Sequence, residues 1–175
     1  MPYNLDHPIH IDEYDPHWPV LFEQEKRLLE AELGRLLMAV EHVGSTSVPD
    51  LGAKPIIDIL AGVSDLAGVS DYVAILKRLG YEDALINPAL QRRLFCKGGY
   101  NKGSHHLHFV VYGSDPWLLP LQFRDYLRTH VDERIQYGEL KLRLADKHLC
   151  DLDGYSEDKG AFIQTILSED MGALK

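Results

Sequence analysis

Val43-Gly44-Ser45-Thr46-Ser47-Val48-Pro49-Asp50-Leu51-Gly52-Ala53-Lys54-Pro55-Ile56-Ile57-Asp58-Ile59-Leu60 is the segment that sets the architecture. A glycine- and hydroxyl-rich turn leads to Lys54. An apolar run follows, with one carboxylate, Asp58, in its middle. A carboxylate flanked by Ile56, Ile57, Ile59 and Leu60 is costly to bury without a partner or a metal. The turn offers backbone N–H groups and hydroxyls, which suit a phosphate. The spacing is not that of a P-loop, which needs glycine, four residues, then Gly-Lys-Ser/Thr opening a helix. Here Gly44 and Gly52 are eight apart, and Pro55 after Lys54 forbids the helix. The remaining reading is strand, Gly-Ser turn, short helix or loop, then a strand carrying Asp58.

Val40 to Gly44 reads as the first of these strands. Ile56 to Val63 is the second, apolar enough to be buried on both faces. Residues 56, 58, 60 and 62 share one strand face. A two-metal phosphoryl-transfer site would place a second carboxylate at 60, where this chain has leucine. Upstream, residues 1–14 read as an arm in which Ile9 and Ile11 alternate with polar residues, an edge-strand pattern. Asp15-Pro16 opens a helix whose apolar positions, Trp18, Phe22, Leu29 and Leu33 among them, recur through about residue 38. Downstream, Leu66 to Leu79 has helical spacing and stops at Gly80. Residues 81–91 read as irregular, Arg92 to Lys97 as a strand, Gly98 to Gly103 as a hairpin loop and His105 to Tyr112 as the returning strand. From Asp115 the pattern is helical, with a second helix around Leu142 and a third opening at Ser156. The expected architecture is one α+β domain over 1–175: a small mixed β-sheet with an N-terminal helix and a C-terminal group of helices.

On the returning strand, His106 and His108 share a face, with His105 opposite. A His-x-His pair on a strand can chelate a metal, and His108 can sit beside Asp58 on a neighbouring strand. The competing reading is a pair of histidines that only make hydrogen bonds, and for His105 that reading is preferred. Basic residues recur at one-turn spacing in the helical half: Arg124 and Arg128, Tyr137 and Lys141, Tyr155 and Lys159. Such stripes bind phosphate if they face the turn, and are otherwise solvated. Arg92 and Arg93 add positive charge at a strand start.

A net charge of -9 argues against general nucleic-acid binding, which needs a positive surface. No apolar run approaches the ~20 residues of a membrane span. Cys96 and Cys150 match no metal or redox spacing, and with no secretory signal the expected location is cytoplasmic.

Glu41-His42-Val43-Gly44-Ser45-Thr46-Ser47-Val48-Pro49, Ala53-Lys54-Pro55-Ile56-Ile57-Asp58-Ile59, His105-His106-Leu107-His108, Phe123-Arg124-Asp125-Tyr126-Leu127-Arg128, Tyr137-Gly138-Glu139-Leu140-Lys141 and Tyr155-Ser156-Glu157-Asp158-Lys159 together resemble the GrpB family, over about residues 9–168. The resemblance implies a nucleotidyltransferase-like fold and a relation to the C-terminal extension of some bacterial dephospho-CoA kinases. It implies a Gly-Ser turn, an acid pair on the next strand and a third acid on a later one. Gly44, Ser45 and Asp58 match the start of that pattern. Leu60 departs from it, and His106 and His108 stand on the strand of the third acid. The function implied is metal-dependent transfer of a nucleotidyl group from a nucleoside triphosphate to an acceptor. Asp58 and His108 would be catalytic. Asp58, His106 and His108 would hold Mg²⁺ or Mn²⁺. Gly44, Ser45, Ser47, Lys54, Arg124 and Lys141 would hold the nucleotide or another phosphorylated small molecule. The alternative is a degenerate nucleotide-binding or chaperone-like module that engages a partner protein. A histidine metal site unrelated to nucleotides is a third reading.

Overall fold

The computed structural model describes residues 8–87, 91–99, 103–149 and 151–173. Five strands form one sheet: β1 (Ala39–Val43), β2 (Ile57–Val63), β3 (Tyr81–Asn87), β4 (Arg92–Lys97) and β5 (His105–Val111), in the order β1-β2-β5-β4-β3. β2 and β5 run parallel at the centre, and every other pairing is antiparallel. The sheet is therefore mixed, and its two central strands are covered on both faces, as parallel strands require.

The alternation of side chains along β2 divides the molecule. Ile57, Ile59, Ala61 and Val63 point to one face, where they pack with Phe95, Leu107 and Phe109 beneath the N-terminal helix α1 (Trp18–Leu33). Trp18, Phe22, Leu29 and Leu33 are the buried stripe of that helix. A short helix α2 (Val73–Arg78) completes this layer through Leu76. Asp58 and Leu60 point to the opposite face. There Leu60, Val43 and Val110 meet Trp117 on α3 (Asp115–Thr129). The helices α4 (Val131–His148) and α5 (Leu152–Ala173) complete that layer. The larger apolar core thus lies on one side of the sheet, and smaller apolar clusters share the other with the candidate chemistry.

Several boundaries differ from the sequence reading. Residues 81–87 form an edge strand rather than an irregular segment. Glu82 and Asp83 obscure the alternation, and charges are what an exposed edge tolerates. The 66–79 segment is a 3₁₀ turn over Ala67–Tyr72 followed by a six-residue helix. The first helix ends at Leu33, and Gly34–Leu36 continue it as a 3₁₀ turn. The last helix begins at Leu152, four residues before Ser156. The described part of the N-terminal arm makes a single bridge, Asp12 to Ala53, rather than a strand. Part of the expected 98–103 hairpin loop, and Cys150, lie outside the described residues.

A candidate metal and phosphate cleft

The glycine turn is built before the site is. Gly44 has φ +71°, in the left-handed region, and opens a 3₁₀ turn over Ser45–Ser47. The Ser47 hydroxyl donates to the Gly44 carbonyl at 2.6 Å and closes that turn on itself. The Thr46 hydroxyl donates to the Ile56 carbonyl at 3.3 Å, tying the turn to the start of β2. His42 reaches Thr46 Oγ1 through Nε2 at 3.0 Å, and its ring stacks on Phe22 with centroids 4.7 Å apart. Since the Thr46 proton is committed to Ile56, the imidazole must donate, which assigns the Nε2–H tautomer. Burial pushes the His42 pKa down to about 4, against the pull of Asp58.

Two arginines on α3 hold the turn from the other side. Arg128 donates to the Ser47 carbonyl from Nε and Nη2, at 3.1 and 2.8 Å. Arg124 Nη1 donates to Glu41 at 2.8 Å and to the His42 carbonyl at 3.0 Å, while its Nε donates to Asp125 at 2.7 Å. The helix, the end of β1 and the turn are thereby fixed as a unit.

Against this turn sits Asp58. In register, His106 lies opposite Asp58 and His108 opposite Leu60. The Asp58 Oδ1 atom is 3.4 Å from His106 Nδ1 and 3.4 Å from His108 Nε2. One donor atom from each of the three lies within 4.8 Å of the others. The position two residues along β2, where a second acid would stand, is filled by Leu60 packed on Val43, Val110 and Trp117. The neighbouring strand supplies imidazoles in its place. Burial works to raise the Asp58 pKa, but hydrogen bonds and charge from His106 and His108 outweigh it and hold the carboxyl well below the usual range. Burial opposes charge on His106 too, and the Asp58 carboxylate more than offsets it, holding that imidazole above its ordinary value. For His108 burial prevails and the pKa falls. His108 Nδ1 is buried with no hydrogen-bond partner among the described residues.

A cleft of about 320 Å³ opens in front of this cluster. Lys54, Arg92, Lys141 and Lys159 line it, with Ser45, Thr46 and Tyr155. Lys141 donates to the Gly52 carbonyl, and burial with the nearby Lys159 charge pushes its pKa down to about 7. Lys159 Nζ lies 4.2 Å from the centre of the Tyr155 ring, and burial brings its pKa to about 8, against the attraction of Asp58. Burial lowers Lys54 in the same way, with Asp58 opposing. Cations crowded out of water in this way gain from an anion that enters.

The sequence-predicted residues divide accordingly. Gly44, Ser45, Lys54, Asp58, His106, His108 and Lys141 converge. Ser47 is buried and occupied in the turn. Arg124 lines an adjoining cavity, with its guanidinium engaged by Glu41, His42 and Asp125. His105 lies on the core face, 4.0 Å from Glu25. Arg92, Lys159 and Tyr155 are additions. Their stripes are visible in the sequence, but only the packing of β4 and α5 turns them toward Asp58.

The adjoining cavity, about 360 Å³, lies between α3, α4 and α5. Phe123, Leu127, Tyr137, Ile163 and Leu167 are its apolar walls, and Ser45, Asp58 and Lys159 border both it and the cleft. A third space of about 630 Å³ runs past Leu60, Val110 and Leu119, and Asp58 borders that as well.

Fold and site together define an α+β domain in which a carboxylate and two imidazoles are set among buried and half-buried cations. The chain belongs to the GrpB family, whose model, described as GrpB protein, matches residues 8–169. The crystal structure of a conserved GrpB protein from Enterococcus faecalis superposes with a TM-score of 0.81 at 37% identity, covering 94% of this chain and 99% of that one. UPF0157 protein YqkA of Bacillus subtilis is 38% identical over 87% of this chain, which spans only 44% of YqkA. A dephospho-CoA kinase of Mycolicibacterium paratuberculosis is 26% identical over 85% of this chain and 42% of its own length, in keeping with the expected relation. No helix among the described residues is long and apolar enough to cross a membrane.

Proposed function

We propose that the cleft is a metal-dependent nucleotidyl-transfer site, in which Asp58, His106 and His108 hold one divalent cation and the surrounding cations receive the phosphates of a nucleoside triphosphate. The observation that carries this reading is the convergence of three potential ligands on one point, beside a glycine turn and four cations, Lys141 buried and Lys54, Arg92 and Lys159 half-buried. The donor set fits a metal: one carboxylate and two imidazoles on paired central strands, with a ligand atom of each within 4.8 Å of the others. Imidazole favours Mn²⁺ or Zn²⁺ over Mg²⁺, which prefers oxygen. When bound, the cation would polarise phosphoryl oxygens and offset charge that develops during transfer.

The protein's own groups do the remaining work. Lys54, Arg92, Lys141 and Lys159 offset the charge of the phosphates and orient them. Ser45, at the border of the cleft and the apolar cavity, offers a hydroxyl to the transferred phosphoryl group. The Gly44 turn fixes Asp58, because the absence of a side chain there lets the carboxylate stand against the backbone.

Titration calorimetry with ATP and Mn²⁺ tests this reading, with Asp58→Ala as control. Saturable binding to the wild type, lost in the variant, is expected. No binding at millimolar ligand, or equal binding by both, rejects it. Leu60 favours a second reading, in which the site binds a nucleotide without turning it over or serves a partner protein. A single carboxylate at the centre leaves less negative charge to hold metal than an acid pair would. Transfer of a radiolabelled nucleotidyl group to any acceptor in a mixed-metabolite screen rejects that second reading.

A further inference from the structure

The three spaces that meet at Asp58 differ in chemistry. The cleft is cationic. The cavity between α3 and α5 is walled by Phe123, Leu127, Tyr137, Ile163 and Leu167, and offers few polar groups. Among these, Arg124 is engaged by Glu41, His42 and Asp125, and Tyr137 is hydrogen-bonded to Ser45. Gln164 and, at the border with the cleft, the Ser45 hydroxyl, Asp58 and Lys159 complete the set, so the polar groups gather at the mouth that faces Asp58. A nucleobase or a sugar carries several donors and acceptors along its edges. Burying those without partners costs a few kcal/mol for each group (~1–3 by mutational measures). The cavity is therefore a poor site for either.

In an in-line displacement the leaving group and the acceptor lie on opposite sides of the phosphorus. With the reacting phosphorus at Asp58, the leaving pyrophosphate belongs on the cationic side. Ser45, Asp58 and Lys159 border both compartments, so the apolar cavity adjoins the cationic cleft at Asp58. We propose that this cavity binds the acceptor, and that the acceptor is a small apolar molecule, ring-shaped or branched, with a single hydroxyl directed at Asp58. Its volume of about 360 Å³ falls within the range of small-molecule pockets. The hydroxyl oxygen bonds to the α-phosphorus, the bond from that phosphorus to the bridging oxygen breaks, pyrophosphate leaves with the electron pair, and the hydroxyl proton passes to water. This assignment rests on the nucleotidyl-transfer reading of the cleft.

Benzyl alcohol and inorganic pyrophosphate separate the two compartments. Ligand-observed NMR with the full chain and Mn²⁺-free buffer measures the alcohol, and calorimetry with Mn²⁺ measures pyrophosphate. Benzyl alcohol is expected to bind saturably, at least 10-fold more tightly than ribose, and to remain bound when pyrophosphate is saturating in a diamagnetic Mg²⁺ sample. Phe123→Gln is expected to weaken benzyl alcohol about 10-fold and leave pyrophosphate within 2-fold. Should Phe123→Gln unfold, Ile163→Gln replaces it, with a thermal melt to show that the chain is intact. Competition between the two probes, preference for ribose, or wild-type affinity for benzyl alcohol in both folded variants overturns the acceptor assignment. Benzyl alcohol binding as expected with no pyrophosphate binding overturns the nucleotidyl-transfer reading instead.

Discussion

Gly44 and Asp58 stand so close that the site has no room for a side chain between them. A Cβ at position 44 would collide with the Asp58 Oδ2 atom and lie 3.0 Å from its Cβ. The backbone at 44 also has φ +71°, which side chains rarely adopt. Two independent constraints, one conformational and one steric, therefore require glycine at this point. Gly44→Ala is expected to cost about 2 kcal/mol in urea unfolding. It should also move the carboxylate and lower Mn²⁺ affinity. In a double-mutant cycle with Asp58→Ala the two losses should be clearly less than additive, because the second change removes the collision. Full additivity would show that the contact has no energetic consequence.

The position of Leu60 explains why the donor set is unusual, and it permits a test. Leu60 is opposite His108 in register and shares the face of Asp58. Leu60→Asp places a second acid beside the first. The new group would displace an apolar side chain from contact with Val43, Val110 and Trp117, so stability should fall by about 3 kcal/mol. Metal preference should shift toward Mg²⁺, since the donor set gains oxygen. The measurement is the ratio of Mg²⁺ to Mn²⁺ affinity in a variant that remains folded. An unchanged ratio would argue that Asp58 and the histidines are not ligands.

Much of this is legible in the sequence. The Gly44 turn, the strand after it, Asp58 as its lone acid and the shared face of His106 and His108 all follow from local pattern. Strand alternation needs no tertiary knowledge. What the sequence could not say was which of several basic stripes reached the acid. Arg92, Lys141 and Lys159 are far apart in the chain, and only the packing of β4, α4 and α5 brings them to one cleft. The Tyr81–Asn87 strand is hidden in the sequence for the opposite reason. Its neighbours pair with it on one side only, and Glu82 and Asp83 suit that exposed edge better than they suit a periodicity.

The two arginines of α3 and the lysines of the cleft should separate cleanly under mutation. Arg128 donates twice to the Ser47 carbonyl, so Arg128→Ala leaves a half-buried acceptor unpaired and should cost about 1 kcal/mol. Arg124→Gln should cost about as much, through Glu41 and the His42 carbonyl. Pyrophosphate affinity should change little in either. Lys54→Gln and Lys159→Gln should do the reverse, weakening pyrophosphate about 10-fold, the equivalent of one charge-assisted hydrogen bond, with the unfolding midpoint nearly unchanged. Calorimetry and urea unfolding on all four variants check the division. A larger loss of pyrophosphate binding in Arg124→Gln than in Lys54→Gln would return Arg124 to the phosphate site.

His42 gives the fold a pH dependence with a defined sign. Its pKa is held down at about 4 by burial, while in the unfolded chain it is near the ordinary value of 6.5. Between those values the unfolded chain binds a proton that the folded chain refuses. Stability from this group is therefore complete above pH 6.5 and is lost as the pH falls toward 4. From pH 7 to pH 5 the loss should be about 2 kcal/mol. The cause is local: protonation would place a charge between the Phe22 ring and the Thr46 hydroxyl, where the pull of Asp58 does not offset the burial. His42→Gln keeps an N–H donor for Thr46 but does not titrate. Its urea midpoint should therefore depend on pH less than that of the wild type, with contributions from Asp58 and the other histidines cancelling in the comparison. Equal pH slopes for the two proteins would mean that the buried imidazole is already protonated in the folded chain.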